Sequence, residues 1–97
     1  MRIARVAKPK LWDGRVITAA RGLAGLTILE LAAAADVTER TIRRIEANRE
    51  IVVAPKLRHG HVSRDIWDRI VDALNAAGVE LTPPGDDHGA GARYHRS

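Results

Sequence analysis

The sequence contains no cysteine and no phenylalanine, and only one tyrosine and two tryptophans among its 97 residues. Without thiols it makes no disulfide and offers no thiolate to a metal, and nothing in it asks for an oxidising compartment. Without phenylalanine the core has to come from Leu, Ile, Val and Ala, side chains that suit short helices packed closely. No apolar run approaches the ~18 residues of a membrane-spanning helix and no secretory leader is visible, which implies a cytoplasmic protein with no membrane partner. Catalytic signatures are missing as well: no phosphate-binding glycine loop, nucleophile motif or acidic metal cluster occurs. His59 and His61 lack a carboxylate at ligand spacing, so they read as basic-loop histidines rather than as a zinc site. The expectation is a non-enzymatic single small domain with no catalytic residue, no metal and no cofactor.

Charge is plentiful and unevenly placed. Residues 1–64 hold 13 Lys/Arg against 6 Asp/Glu, whereas residues 65–97 hold 3 against 6. A basic part followed by an acidic part is the distribution expected of one face turned to a polyanion and another turned elsewhere. Thirteen of the 16 basic residues are Arg, the side chain suited to bidentate phosphate or guanine contacts.

Helix starts are marked repeatedly. Asp13, Thr27, Thr38 and Ser63 are N-cap candidates, each preceded by an apolar residue that pairs with another in the first turn: Trp12 with Ile17, Leu26 with Leu31, Val37 with Ile42, Val62 with Trp67. Thr27 and Glu30 fit a capping box, and Gly25 and Gly78 are natural C-terminal stops. These marks predict helices at 14–24, 28–35, 39–48 and 64–77, the last burying Ile66, Trp67, Ile70, Val71 and Leu74.

Residues 27–48, TILELAAAADVTERTIRRIEAN, are the centre of the chain. They predict two short helices joined by a tight turn, with Ala32 small enough for close approach. Placing Ile42 and Ile45 inward at 100° per residue sends Arg40, Arg43, Arg44 and Ala47 to the opposite side. A helix with its back in a core and three guanidinium groups forward is shaped for the major groove.

The pattern resembles the phage-repressor-like (Xre, lambda-repressor-type) helix-turn-helix family over residues 14–81. The residues that carry the likeness are Ala32, the apolar set Leu31, Val37, Ile42 and Ile45, Glu46, and the ending Ala-Ala-Gly-Val-Glu-Leu at 76–81. Arg21 stands where the family often places an arginine that pairs with the glutamate equivalent to Glu46. Two positions depart: Ile28 replaces a Gln that contacts the phosphate backbone, and Asp36 replaces the turn Gly. Asp tolerates a left-handed backbone better than most non-glycines, at some cost; if the turn has shifted instead, Asp36 merely caps a helix.

The resemblance implies an all-α, four-helix lambda-repressor-like domain, with room for a short C-terminal strand at Val79-Glu80-Leu81. It implies a sequence-specific DNA-binding transcription regulator, most simply a repressor that binds a palindromic operator in double-stranded DNA as a homodimer. Thr27, Thr38, Glu39, Arg40, Thr41, Arg43, Arg44 and Asn48 are then the DNA-contact candidates, with Arg40 and Arg43 on base edges. The helix N-termini at Thr27 and Thr38 offer N–H groups to phosphates. The alternative, favoured by Ile28 and by the long 49–62 connection, is a protein-interaction module on the same fold, an antitoxin or antiactivator with a protein partner.

Three segments flank this core. Residues 1–11 form a basic arm with Arg2, Arg5, Lys8 and Lys10, read either as phosphate contacts or as a solvated terminus. The 49–62 connection carries an extended Ile51-Val52-Val53 and the phosphate-contact candidates Lys56 and Arg58. The domain is expected over 12–81, and residues 82–97 form a tail, flexible or dimer-forming.

Overall fold

A computed structural model describes residues 11–54, 61–83 and 91–94. Among these residues four helices form, α1 (Arg15–Ala24), α2 (Ile28–Ala35), α3 (Glu39–Ala47) and α4 (Arg64–Ala76), none displaced by more than one residue from its predicted ends. Thr27, Thr38 and Ser63 cap α2, α3 and α4, each side chain accepting from the N–H three residues on. The first helix departs from the rule: its N-cap is Gly14, and Asp13 accepts instead from the Arg15 N–H at 2.9 Å.

The all-α expectation needs correction, because among the described residues four short strands accompany the helices. β1 (Val52–Ala54) pairs in parallel with β2 (His61–Ser63), and β3 (Val79–Thr82) pairs antiparallel with β4 (Gly91–Tyr94). Consecutive β-branched residues at 51–53 favour extended backbone, and Ile51 also exchanges both backbone hydrogen bonds with Trp12, at 2.9 and 2.7 Å. At the C-terminus the expected strand forms, and it finds its partner within the chain. Thr82 ends β3, and Gly91–Tyr94 lies against both β3 and α1. Ala92 packs on the core, and Arg93 Nε donates to Glu80 across the two strands.

One apolar core joins these pieces. Ile17, Leu31, Ile42, Ile45, Ile51, Ile70, Leu74 and Val79 are its largest fully buried side chains, drawn from every helix, from β3 and from the residue before β1. The aliphatic composition is therefore met by Ile and Leu from the four helices, with Ile51 just before β1 and Val79 of β3, and Trp67 joins them in the core. The Trp12 and Trp67 rings lie 5.0 Å apart between centroids at 50°, an inclined aromatic contact. Both line a groove of about 540 Å³ together with Val53, Arg64, Asp68, Val71, Leu81 and Pro83. No single helix is long and apolar enough to cross a membrane among the described residues.

Candidate nucleic-acid interface

The paired helices α2 and α3 are set by their turn. Thr27 Oγ1 accepts from the Glu30 N–H at 3.1 Å while Glu30 Oε1 accepts from the Thr27 N–H at 3.0 Å, closing the capping box. That backbone hydrogen bond holds the Glu30 carboxyl below the usual glutamate range. At the other end of α2, Asp36 takes the left-handed conformation, φ 56° and ψ 48°. Val37 N–H reaches Ala32 O at 3.0 Å and Asp36 N–H reaches Ala33 O at 3.3 Å, the two bonds of a Schellman stop. The turn has kept its left-handed residue, with aspartate where glycine would sit without strain. Arg69 of α4 adds a bond to the Asp36 carbonyl at 3.3 Å.

The back of α3 is locked to α1. Arg21 Nε and Nη2 fork onto the two oxygens of Glu46 at 3.0 and 3.1 Å, and Arg21 Nη1 donates to the Leu26 carbonyl at 3.1 Å. Thr18 Oγ1 donates to Glu46 Oε1 at 2.7 Å. The bonds to Glu46 favour the charged form of Arg21 and raise its already high pKa. At the far end of α3, the Gly14 N–H donates to the Asn48 carbonyl at 2.8 Å. A Cβ on Gly14 would fall 1.8 Å from the Ile45 carbonyl oxygen, so only glycine lets these two backbones meet.

With Ile42 and Ile45 buried, α3 turns Arg40, Arg43 and Arg44 outward, and all three are exposed. The other expected contact residues are less available. Thr27 and Thr38 spend their hydroxyls on caps, and Thr41 Oγ1 lies 2.9 Å from Thr38 Oγ1. Asn48 Oδ1 accepts from the Glu50 N–H at 3.1 Å. Glu39 accepts from Arg43 Nη2 at 2.9 Å. Arg2, Arg5, Lys8, Lys10, Lys56 and Arg58 lie outside the described residues, as does His59. Among the described residues no three His, Cys, Asp or Glu side chains are placed to hold a metal ion.

Three residues that position the motif were not predicted: Gly14, Thr18 and Arg69. Thr18 stands three residues before Arg21 on one helix face, a spacing that suffices to suggest a shared partner. Gly14 and Arg69 act on backbone atoms distant in sequence, and no local pattern marks them.

Residues 17–54 match the family model described as helix-turn-helix. The match spans less than half of the chain, and it marks this segment as similar to helix-turn-helix proteins. The match is narrower than the resemblance drawn from the sequence, ending at Ala54 with β1 and leaving out α4 and the hairpin. No curated protein matches the chain. The helix-turn-helix match indicates a DNA-binding transcription regulator, a class that is typically non-enzymatic. Its physics suits that class: an exposed row of guanidinium groups supplies salt-dependent attraction to phosphates, and a rigid α3 fixes where they point.

Proposed function

We propose that this protein is a sequence-specific repressor that binds a palindromic operator as a homodimer, inserting α3 into the major groove. The observation that carries this is the division of α3 between buried Ile42 and Ile45 and exposed Arg40, Arg43 and Arg44. In this placement Arg40 and Arg43 address base edges, and Arg44 the phosphate backbone. The N-terminal turns of α2 and α3, after Thr27 and Thr38, offer N–H groups to phosphates. Thr41 and Asn48, both half-buried, support the contact surface from its edges. The basic arm, with Arg2, Arg5, Lys8 and Lys10, and the loop residues Lys56 and Arg58 extend the phosphate contacts. A module this small buries limited DNA surface, so useful affinity calls for two copies on half-sites about 34 Å apart. The copies meet through α4 and the C-terminal hairpin, the part without a basic surplus.

A second reading, a protein-interaction module of the antitoxin or antiactivator kind, draws on the first turn of α2. Ile28 packs on the core and presents no polar group, and the neighbouring Leu29 is 61% exposed. Selection from random duplexes separates the two. Enrichment of a two-fold symmetric sequence, bound with a steep salt dependence, supports the repressor, whereas no enrichment and weak salt-insensitive binding rejects it.

A further inference from the structure

The exposed face of α3 carries three arginines and one acid in its first turn, and that acid is in an unusual place. Glu39 is the first residue of the helix, and its Oε2 accepts from Arg43 Nη2 at 2.9 Å, with the two side chains 37% and 61% exposed. As a helix feature this is ordinary: an acid at the N-terminus suits the helix dipole, and the i,i+4 pair adds to it. As part of a surface that meets DNA it is not. A carboxylate there is repelled by phosphates and by the acceptor atoms that dominate the major-groove edge. Guanine shows two acceptors, thymine an acceptor and a methyl group, and adenine an acceptor beside its amino group. Cytosine shows an amino donor, so it is the base that a carboxylate can meet.

Arg43 completes the arrangement. One of its terminal amino groups is held by Glu39, which fixes the plane of the guanidinium and leaves its remaining N–H groups to approach guanine O6 and N7. Residues four apart on a helix are separated by roughly 6 Å along the axis, within two base steps of roughly 3.4 Å. We propose that Glu39 and Arg43 work as one linked reader of neighbouring G·C pairs: Glu39 accepts from a cytosine N4 amino group while Arg43 donates to a guanine. Glu39 is the discriminating member, since it is repelled by guanine and thymine, meets the N7 acceptor beside the amino group of adenine, and weakens non-specific contact with phosphates. This rests on the repressor reading of α3.

The test is selection from random duplexes by the full chain, wild type and Glu39→Gln side by side, with helical circular dichroism confirming that both are folded. The expected wild-type result is an operator with cytosine next to, or one step from, the guanine whose preference Arg43→Ala relaxes. Glu39→Gln should move that cytosine preference to adenine, whose N6 and N7 suit a glutamine amide, by about tenfold. It should also raise affinity for unrelated DNA. As a check independent of any variant, replacing that one cytosine pair should cost the wild type about tenfold in affinity. An operator enriched by both proteins with the same base at every position overturns the linked-reader proposal and leaves the repressor reading standing. Absence of any enriched operator from the wild type overturns both.

Discussion

Arg21 and Glu46, 25 residues apart, face each other through two parallel hydrogen bonds between the back of α3 and α1, with Thr18 donating to the same carboxylate. Their side chains are 20% and 11% exposed, so neither charge is freely hydrated. Removing Glu46 strands the guanidinium, and removing Arg21 strands the carboxylate. Glu46→Ala is therefore expected to destabilise the domain toward the lower end of ~3–5 kcal/mol, the residual exposure softening the penalty. Urea denaturation checks this, and a midpoint equal to the parent's would show that the pair is not holding α3 in place.

The four helices, and the caps of α2, α3 and α4, were readable because each leaves a local signature: an apolar pair around a capping oxygen, a glycine stop, an apolar face recurring every three to four residues. Arg21 and Glu46 were placed by the family resemblance. The strands were harder. Val79-Glu80-Leu81 announces an extended segment, but its partner Gly91–Tyr94 is a weak strand former by composition and is held by β3 and α1 rather than by its own preference. Gly14 was invisible for a related reason, since its need is set by the Ile45 and Asn48 carbonyls arriving from another helix. At the candidate interface, the three outward arginines followed from periodicity, whereas the occupation of Thr41, Asn48 and Glu39 by neighbours depends on rotamers that spacing does not specify.

Gly14→Ala is expected to be among the most damaging single-methyl additions available. The new carbon would overlap backbone oxygens, 1.8 Å from Ile45 and 2.5 Å from Asn48, and backbone does not rotate aside as a side chain does. Overpacking of this kind costs ~1–3 kcal/mol or more. Thermal melting of Gly14→Ala beside Gly22→Ala, where an added Cβ meets nothing within 4 Å, isolates the steric effect.

Asp36→Gly should act in the opposite direction. The turn holds Asp36 at φ 56°, a conformation that glycine adopts without a Cβ penalty. A gain of up to ~1 kcal/mol is expected, reduced by the greater freedom of glycine in the unfolded chain. The Arg69 bond to the residue 36 carbonyl is to backbone and survives the change. Equal or lower stability of the glycine variant in urea would mean that the aspartate side chain has a stabilising role of its own.

Two carboxylates set a direction for the acid limb. Glu30 is held below its ordinary range chiefly by the Thr27 backbone N–H, and Asp13 chiefly by the Arg15 side chain. Their folded-state values lie below their unfolded ones, so the stability they contribute is present above the unfolded pKa and disappears as pH falls through the folded one. Stability should thus decline as pH drops below roughly 4.5. Glu30→Gln keeps a capping-box acceptor without a titrating group, and its stability should fall less steeply over that interval. Parallel pH curves for the two proteins would remove Glu30 from the account.

Arg40 and Arg43 differ in what surrounds them, and that difference makes their substitutions separable. Arg43 donates a hydrogen bond to Glu39, whereas Arg40 has no side-chain ion pair among the described residues. Arg40→Ala removes one cation and leaves no acid behind, so it should weaken operator binding by ~1–3 kcal/mol and relax preference at one base pair per half-site. Arg43→Ala should do the same at a neighbouring pair and also leave the Glu39 carboxylate without its cation in the field of the DNA, making it the more costly of the two. Asp68→Ala, on the exposed face of α4, should leave affinity nearly unchanged. Titrations of operator and scrambled duplexes at several salt concentrations distinguish the cases. Equal losses on both duplexes for Arg40→Ala, with a salt slope shallower by about 0.9, would make Arg40 a phosphate contact rather than a base reader. A loss confined to the operator, with the slope preserved, would place it on a base edge.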